Sequence, residues 1–333
     1  MPSHVDWSST ILLLLLVVGL PALFVAALPL LVRPVIGLAV ALGYRLKATG
    51  VEHLPRTGGA LLAVNHVTWL DGFFVLAACP RRIKALVNAD YVNVPVIRWL
   101  AGRVGIIPVP ASGPRAQRAA IEAARRALDA GEILVIFPEA QLTRNGRTGA
   151  FLRGLEVIIS GRESVPVIPV FLGNLWGSRF SFGRNDPSGE RRGRGRRLVS
   201  IAFGPPVAVP VTAFVTRQAV IAASVRASEA IGPASAAPPF DPNLPCWRHE
   251  TFGLVAGSSP DVDRGGIRQT GQKPGTVGQA LPGVAIQSVD ESGVPLGPDA
   301  LGRLQVLVPD ATWQESGRVG KIDRDGFITL SGP

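Results

Sequence analysis

Between about residues 58 and 205, short apolar runs alternate with stretches of helical periodicity. The apolar runs predict buried strands at 59–64, 104–109, 132–137, 165–172 and 198–203. Helices are predicted at 71–78 and at 114–130; in the second, Ile121, Ala124 and Leu128 share one face and Gly131 ends the helix. Strands that alternate with helices predict an α/β domain, whose functional groups lie at the carboxyl ends of the strands.

The N-terminus has a different pattern. Residues 10–32 carry no charge and are about long enough to cross a bilayer core as a helix, with kinks expected at Pro21 and Pro29. Residues 34–44 continue the apolar character, so a bent hairpin sunk into one leaflet also fits. A cleavable signal peptide is the rival interpretation, but the first nine residues contain no Lys or Arg. Positive charges follow the segment, which places the rest of the chain in the cytoplasm.

A third pattern begins after a predicted helix at 211–231. Residues 232–245 are rich in Pro and Ala, which is typical of a linker. Short strands at 283–289, 303–308 and 327–330, with a turn at 323–326, then predict a small β-rich module. The predicted domains are a membrane-embedded segment at 1–45, an α/β domain at 46–231, a linker at 232–249 and the β-rich module at 250–333.

Composition and charge support this division. The 333 residues include 34 Lys and Arg against 24 Asp and Glu, a net charge of +10, yet only 17% are charged, and the mean hydropathy is +0.29. Residues 1–240 carry a net +13 and residues 241–333 a net −3. A basic but apolar chain suggests a protein that associates with membranes. The two cysteines, Cys79 and Cys246, form neither a disulfide framework nor a metal cluster, which favours a reducing compartment.

The end of the first predicted strand carries candidate catalytic residues. His66 follows this strand, and Asp71 opens the next helix. A carboxylate five residues on can hold one imidazole tautomer, which leaves the other ring nitrogen free to accept a proton from an alcohol. This pair is suited to direct attack by a substrate hydroxyl. The alternative role for Asp71 is a helix cap.

The end of the strand at 132–137 carries a second candidate. Pro138 and Glu139 follow this strand directly, where solvation alone explains a glutamate poorly. A salt bridge or a helix cap is the structural alternative.

Together, Asn-His-Val-Thr-Trp-Leu-Asp at 65–71 and Phe-Pro-Glu at 137–139 resemble the glycerolipid acyltransferases of the lysophosphatidic acid acyltransferase superfamily. The second of their four blocks resembles 105–109, beginning at Gly105, and the fourth resembles 165–170. All four occur in order across about residues 45–230. The resemblance implies an α/β fold with a mixed sheet flanked by helices.

The resemblance also implies the roles of individual residues. His66 would be the general base that deprotonates the acceptor hydroxyl for attack on an acyl thioester, and Asp71 would orient it. Asn65, Gly105, Pro138, Glu139 and Arg144 are the implied substrate-binding residues, with arginine contacting phosphate. The co-substrate would be acyl carrier protein or coenzyme A carrying the acyl group, and no metal or bound cofactor is implied.

The third block departs from the family pattern. Ala140 stands where the family has Gly, so a turn that needs positive φ would be strained here. Leu142 replaces the usual arginine, and Arg144 follows two positions later.

Two further segments have distinctive sequences. The arginine-rich stretch 191–197 is interpreted first as a solvated loop and next as a contact for anionic lipid; no aromatic residues interleave with it, so nucleic-acid binding is not expected. Through the runs at 275–283, 316–318 and 321–327, residues 250–333 resemble one subdomain of AMP-forming acyl-CoA or acyl-ACP synthetases. The phosphate loop is missing and Arg318 replaces the expected acid, so this module is predicted to be an inactive remnant.

The sequence therefore predicts an O-acyltransferase of the bacterial cytoplasmic membrane, with its catalytic domain facing the cytoplasm. Its predicted partners are a lysophospholipid or glycerol phosphate acceptor, the acyl thioester donor and the lipid bilayer. Two alternatives remain: a catalytically impaired lipid-binding or scaffold protein, and an acyl-activating enzyme.

Overall fold

The computed structural model describes Val17 and residues 20–185, 196–232 and 241–332. The helices are α1 (Leu20–Gly43), α2 (Asp71–Ala78), α3 (Pro95–Arg103), α4 (Pro114–Asp129), α5 (Gly154–Ile159) and α6 (Ala213–Ile231). The first group of strands is β1 (Tyr44–Thr49), β2 (Ala60–Val64), β3 (Ile83–Asn88), β4 (Ile106–Val109), β5 (Ile133–Ile136), β6 (Val167–Gly173) and β7 (Arg197–Phe203).

These seven strands form one mixed sheet in the order β1-β7-β6-β2-β5-β3-β4. Strands β6, β2, β5, β3 and β4 are mutually parallel. Because β7 pairs with β6 in antiparallel fashion, β7 and β1 run in the opposite direction to the other five strands. The predicted α/β fold with a mixed sheet and flanking helices is confirmed. The carboxyl ends of β2 and β5, which are direct neighbours, therefore lie at the same edge.

The sheet is buried on both faces, as the continuous apolar runs predict. In β5, Ile133 and Val135 belong to one core, and Leu134 and Ile136 belong to the other. The first core includes Val40 of α1 and residues of α2, and the second is covered by α4, α5 and α6. This packing fixes β2 and β5, and so the positions of the turns that follow them.

The N-terminal helix differs from its prediction. Helix α1 runs without interruption from Leu20 to Gly43 and leads directly into β1, and it packs against α2. No helix in the described part of the chain has the length and apolar character needed to cross a membrane. Residues 10–16, 18 and 19 of the predicted span lie outside the described part of the chain.

The C-terminal segment forms β8 (Cys246–His249), β9 (Gly253–Gly257), β10 (Val262–Arg264), β11 (Ile267–Gln269), β12 (Gln279–Ala280), β13 (Ala285–Val289), β14 (Gly302–Leu307), β15 (Gln314–Ile322) and β16 (Ile328–Ser331). They make a four-stranded sheet, a three-stranded sheet and the β10–β11 hairpin. We call residues 241–332 the C-terminal module. Its strand β8 lies inside the predicted linker, whose residues 233–240 are outside the described part of the chain. Residues 191–195 of the arginine-rich stretch at 191–197 also lie outside the described part of the chain, so the prediction for this stretch is not tested.

Candidate active site

His66 and Asp71 meet at the carboxyl end of β2. Strand β2 ends at Val64, and α2 begins at Asp71, so the intervening turn must reverse direction within six residues. His66 Nδ1 lies 2.9 Å from Asp71 Oδ2, and the Asp71 side chain is fully buried. This contact leaves Nε2 as the ring nitrogen that can act as a base.

The Asp71 carboxylate organises the whole turn. Its Oδ2 accepts hydrogen bonds from the backbone N–H groups of Val67 at 2.6 Å and Thr68 at 3.0 Å, and its Oδ1 accepts one from Thr68 Oγ1 at 2.6 Å. Asp71 thus contacts the imidazole, but it does not cap α2, since its backbone partners all precede the helix and no side chain caps the first turn. Thr68 was not predicted; its place three residues before the aspartate is the signal that could have revealed it.

Glu139 joins this turn to the turn after β5. Its Oε1 accepts a hydrogen bond from the His66 backbone N–H at 2.9 Å, and its Oε2 accepts one from the Gly149 N–H at 2.8 Å. Thr143 N–H donates to the His66 carbonyl oxygen at 2.9 Å. The Phe137 ring stacks on the imidazole with centroids 4.2 Å apart. The strand ends carrying the two family-like blocks are therefore in direct contact.

Burial dominates the electrostatics of Glu139. The carboxyl is 6% exposed, and burial raises its pKa to about 7, against the opposing effect of the two backbone N–H donors and of the positive charges of His66 and Arg217. A carboxylate that accepts two backbone N–H groups holds the loop in place. No signal in the sequence identified Gly149, because a backbone donor carries no residue signature.

The other predicted substrate-binding residues occupy different environments. Asn65 is buried, and its amide exchanges hydrogen bonds with the backbone of Leu172 on β6, at 3.2 and 2.7 Å. Pro138 is buried and its carbonyl oxygen accepts from Leu152 N–H. Both residues therefore support the strand ends.

Arg144 lies against the C-terminal module. Its Nε donates to the carbonyl oxygen of Arg264 at 2.9 Å, its Nη1 donates to that of Leu142, and its guanidinium covers the Phe182 ring at 3.7 Å. These contacts engage the side chain that was predicted to bind phosphate, and burial lowers its pKa.

Gly105 lies on the opposite edge of the sheet from His66. It precedes β4, and the parallel register of β3 and β4 sets it beside the amino end of β3, where an added Cβ would be 2.8 Å from the Ile83 carbonyl oxygen. The structure therefore brings His66, Asp71, Pro138 and Glu139 together, with Asn65 adjacent, but not Gly105.

Comparison with known proteins finds similarity to acyltransferases in the part of the chain that forms the first sheet. Residues 45–173, under half of the chain, match the family model named Acyltransferase. The chain is similar to the chloroplastic 1-acyl-sn-glycerol-3-phosphate acyltransferase of Arabidopsis thaliana (26% identity over 130 residues, covering 39% of this chain and 36% of the relative). It is also similar to the 1-acyl-sn-glycerol-3-phosphate acyltransferase of Borreliella burgdorferi (28% identity over 137 residues, covering 40% and 52%).

The chain thus spans between about a third and a half of the length of these relatives. A structure of the PlsC acyltransferase of Thermotoga maritima aligns with 60% of this chain and 77% of its own, at 16% identity and a TM-score of 0.41. The family match supports the expectation of an acyltransferase. The synthetase-like origin of the C-terminal module stays a prediction, as do the predicted domain boundaries.

Proposed function

We propose that this protein is an O-acyltransferase that moves a fatty acyl group from acyl-ACP or acyl-CoA to the free hydroxyl of a lysophospholipid such as 1-acylglycerol 3-phosphate. The observation that carries the proposal is the His66–Asp71 pair, with Nδ1 and Oδ2 2.9 Å apart and Asp71 fully buried. The two relatives described above are named as acyltransferases acting on that acceptor.

In this mechanism, His66 Nε2 removes the proton from the acceptor hydroxyl as its oxygen attacks the thioester carbonyl carbon. Asp71 holds the Nδ1 proton and stabilises the imidazolium that forms. The tetrahedral intermediate then expels the thiolate, which takes the proton back from His66. The products are the acylated phospholipid and the free thiol of the carrier, so the base is regenerated without a cofactor.

Glu139 acts as a positioning residue in this scheme. Because its two oxygens accept the N–H groups of His66 and Gly149, it fixes the backbone on which the imidazole is mounted. Displacing a catalytic group by about 1 Å can reduce the rate by about a hundredfold.

Association with the membrane is part of the proposal, and it rests on three exposed aromatic side chains, two that closely follow His66 in the sequence and one that contacts the first of them. Trp69 is 54% exposed, Phe73 45% and Tyr91 57%. The Trp69 and Tyr91 rings are in edge contact with centroids 5.3 Å apart. Aromatic rings of this kind partition into the lipid headgroup region. A lipid substrate could then reach the base without leaving the bilayer surface.

The test is acyl transfer by the purified full chain in mixed micelles, followed by thiol release and by mass spectrometry of the lipid product. His66→Ala is expected to lower kcat by about 10²–10⁴-fold, the usual contribution of a positioned base. His249→Ala, in the C-terminal module, is the matched control and should retain the wild-type rate. Full activity of H66A would contradict the mechanism; parallel assays with acyl-ACP and acyl-CoA identify the donor.

Ala140 supports a second candidate, a lipid-binding protein with impaired catalysis. Its φ is 54°, in the left-handed region that favours glycine, and a residue with a Cβ costs about 1–2 kcal/mol there. Ala140→Gly should therefore stabilise the turn. A large gain in kcat in A140G would favour the impaired protein, whereas an unchanged, measurable kcat would favour an active enzyme.

A further inference from the structure

A cavity of about 70 Å³ lies between the first sheet and the C-terminal module. One side is formed by α6 and by the ends of β2 and β6, and the other by residues of the module such as Gln279 and Ile286. On this scale about 10–15 Å³ holds one water molecule, so the space suffices for several waters or one tetrahedral oxyanion. His66, Asp71 and Glu139 are not among the lining residues, whereas Asn65 and Val67 are, so the cavity lies beside the acyl-transfer site but does not contain its base.

Arg147 lines this cavity with unused hydrogen-bond donors. The residue is 5% exposed. Its Nη1 donates to the carbonyl oxygens of Gln279 at 3.3 Å and Ala280 at 3.2 Å, whereas Nε and Nη2 have no partner. Burial lowers its pKa to about 10, so the side chain is still cationic at neutral pH.

Arg217, on α6, brings a second guanidinium to the same cavity. It is 3% exposed and donates to the carbonyl oxygens of Gly149 and Thr148, both at 2.8 Å, and from Nη1 to Gln218 Oε1 at 3.3 Å. The module approaches it so closely that a Cβ at Gly326 would lie 2.3 Å from its Nη1. Its favourable interactions with Glu139, Asp323 and Asp325 are longer-range.

Neither guanidinium is paired with a carboxylate within 4 Å among the described residues. Removing a charge from water costs several kcal/mol per ion unless a counter-charge and hydrogen bonds compensate. The nearby Glu139 carboxylate is already occupied by two backbone N–H groups. The cavity therefore holds the positive charges of Arg147 and Arg217 and two unpartnered donor nitrogens of Arg147, which a bound anion would satisfy.

Gln279 narrows the chemistry of that anion. Its Nε2 donates to the Asp325 carbonyl oxygen at 2.6 Å, which fixes the amide orientation. Its buried Oε1 has no partner. The ligand should therefore offer charged oxygens to Arg147 and one O–H to Gln279. A phosphate group that retains one proton at neutral pH meets both requirements, whereas a carboxylate has no proton to donate.

We propose that this cavity, which does not include His66 or Asp71, is a phosphate-binding site in which Arg147, Arg217 and Gln279 bind a phosphate group that joins the C-terminal module to the first sheet. The group is inorganic phosphate or the phosphate monoester of a lipid, since a phosphodiester has no O–H to donate. Because residues from both sides of the interface contact it, binding stabilises the docked arrangement. The proposal does not depend on the chemistry of His66.

The test is titration calorimetry and thermal unfolding of the full chain with inorganic phosphate, at an ionic strength held constant with chloride. Phosphate is expected to raise the wild-type Tm. In Arg147→Met the dissociation constant for phosphate should rise at least tenfold. Arg118→Met, which removes an exposed arginine on α4, is the matched control and should bind as the wild type does.

Two further measurements identify the source of the phosphate and show whether a loss of binding in R147M reflects misfolding. Arg147→Lys keeps the charge but lacks the planar fork, so its affinity should lie between those of the wild type and R147M. Glycerol phosphate serves as the headgroup probe, measured in the H66A background, and the tighter of the two Arg147-dependent probes names the source. The proposal is overturned when inorganic phosphate leaves the Tm of the wild type unchanged and glycerol phosphate leaves that of H66A unchanged, or when R147M, R147K and R118M respond alike.

Discussion

At the scale of single residues, the strongest constraint is the hydrogen-bond network around Asp71. Three donors converge on its Oδ2, namely His66 Nδ1 and the backbone N–H groups of Val67 and Thr68. Asp71→Asn can turn an NH₂ group towards these donors, which breaks the network. We expect a loss of kcat of about a hundredfold or more, because the imidazole then lacks its orienting partner.

Thr68→Val provides the comparison for this prediction. It removes the 2.6 Å bond to Asp71 Oδ1 but leaves the carboxylate and its contact with His66. Its effect on kcat should be below about tenfold, with a cost in stability of about 1–3 kcal/mol for the unsatisfied partner. Steady-state kinetics with lysophosphatidate and thermal unfolding of both variants check this. Equal losses of kcat in D71N and T68V would contradict a specific role of Asp71 towards His66.

The second prediction at this scale concerns pH. Burial raises the Glu139 pKa from 4.5 to about 7. The folded state therefore binds more protons than the unfolded state between these values, and the free energy of unfolding falls as pH rises through this window. Glu139→Gln removes this titration. The wild type should lose about 3 kcal/mol relative to E139Q between pH 4.5 and 7.

Urea unfolding at closely spaced pH values measures this difference. Glu163→Gln, at an exposed carboxyl, is the control and should run parallel to the wild type. Parallel curves for E139Q and the wild type would show that Glu139 has no raised pKa in the folded protein.

At the scale of elements, the sequence predicted those with strong patterns. Helix α2 has the predicted bounds, and α4 and β5 agree within one or two residues of each end. Strands β1 and β3 were missed. Strand β1 alternates charged and apolar residues at the sheet edge, and its apolar approach was assigned to a membrane segment. Strand β3 contains Lys84, whose ion pair with Glu132 no local pattern reveals.

In the candidate site too, residues with a local sequence signal were predicted and those without one were missed. His66, Asp71 and Glu139 were identified because sequence spacing and strand ends bring them to one edge. The contacts of Gly149, Arg147 and Arg217 were missed because they form between segments distant in the chain. The same reason explains Arg144, whose partners at Arg264 and Gln269 are more than a hundred residues away.

The prediction at the scale of elements is that the β10–β11 hairpin holds residues 143–147 in place through Gln269. Gln269 Oε1 accepts from Arg144 N–H at 2.6 Å and from Thr143 Oγ1 at 3.3 Å, and its Nε2 donates to the Arg147 carbonyl oxygen. Gln269→Ala removes all three bonds, each with a net value of about 0.5–1.5 kcal/mol. Amide hydrogen exchange in residues 143–147 should therefore accelerate by about tenfold or more.

Gln272→Ala, at an exposed neighbouring glutamine, is the control for the hairpin. It should leave exchange in 143–147 unchanged. The same exchange rates in Q269A and Q272A would mean that the hairpin does not hold the loop that follows Glu139.

At the scale of the whole molecule, the positive charge and the exposed aromatic group lie in the same part of the chain. The net +13 lies in residues 1–240, together with the exposed aromatic group of Trp69, Phe73 and Tyr91. The C-terminal module carries a net negative charge. An anionic bilayer should therefore attract the first part, and the aromatic rings should enter the headgroup region.

Sedimentation with vesicles containing anionic lipid tests this arrangement. The double variant Trp69→Ser with Phe73→Ser should lower the bound fraction at every salt concentration, because it removes apolar contacts that salt does not screen. Val294→Ser with Leu301→Ser removes two side chains of similar exposure, 56% and 58%, from the C-terminal module and should bind like the wild type. Salt should weaken all three proteins in parallel, since the positive charge is unchanged. Equal binding of the two double variants would show that the exposed aromatic group does not contact the membrane.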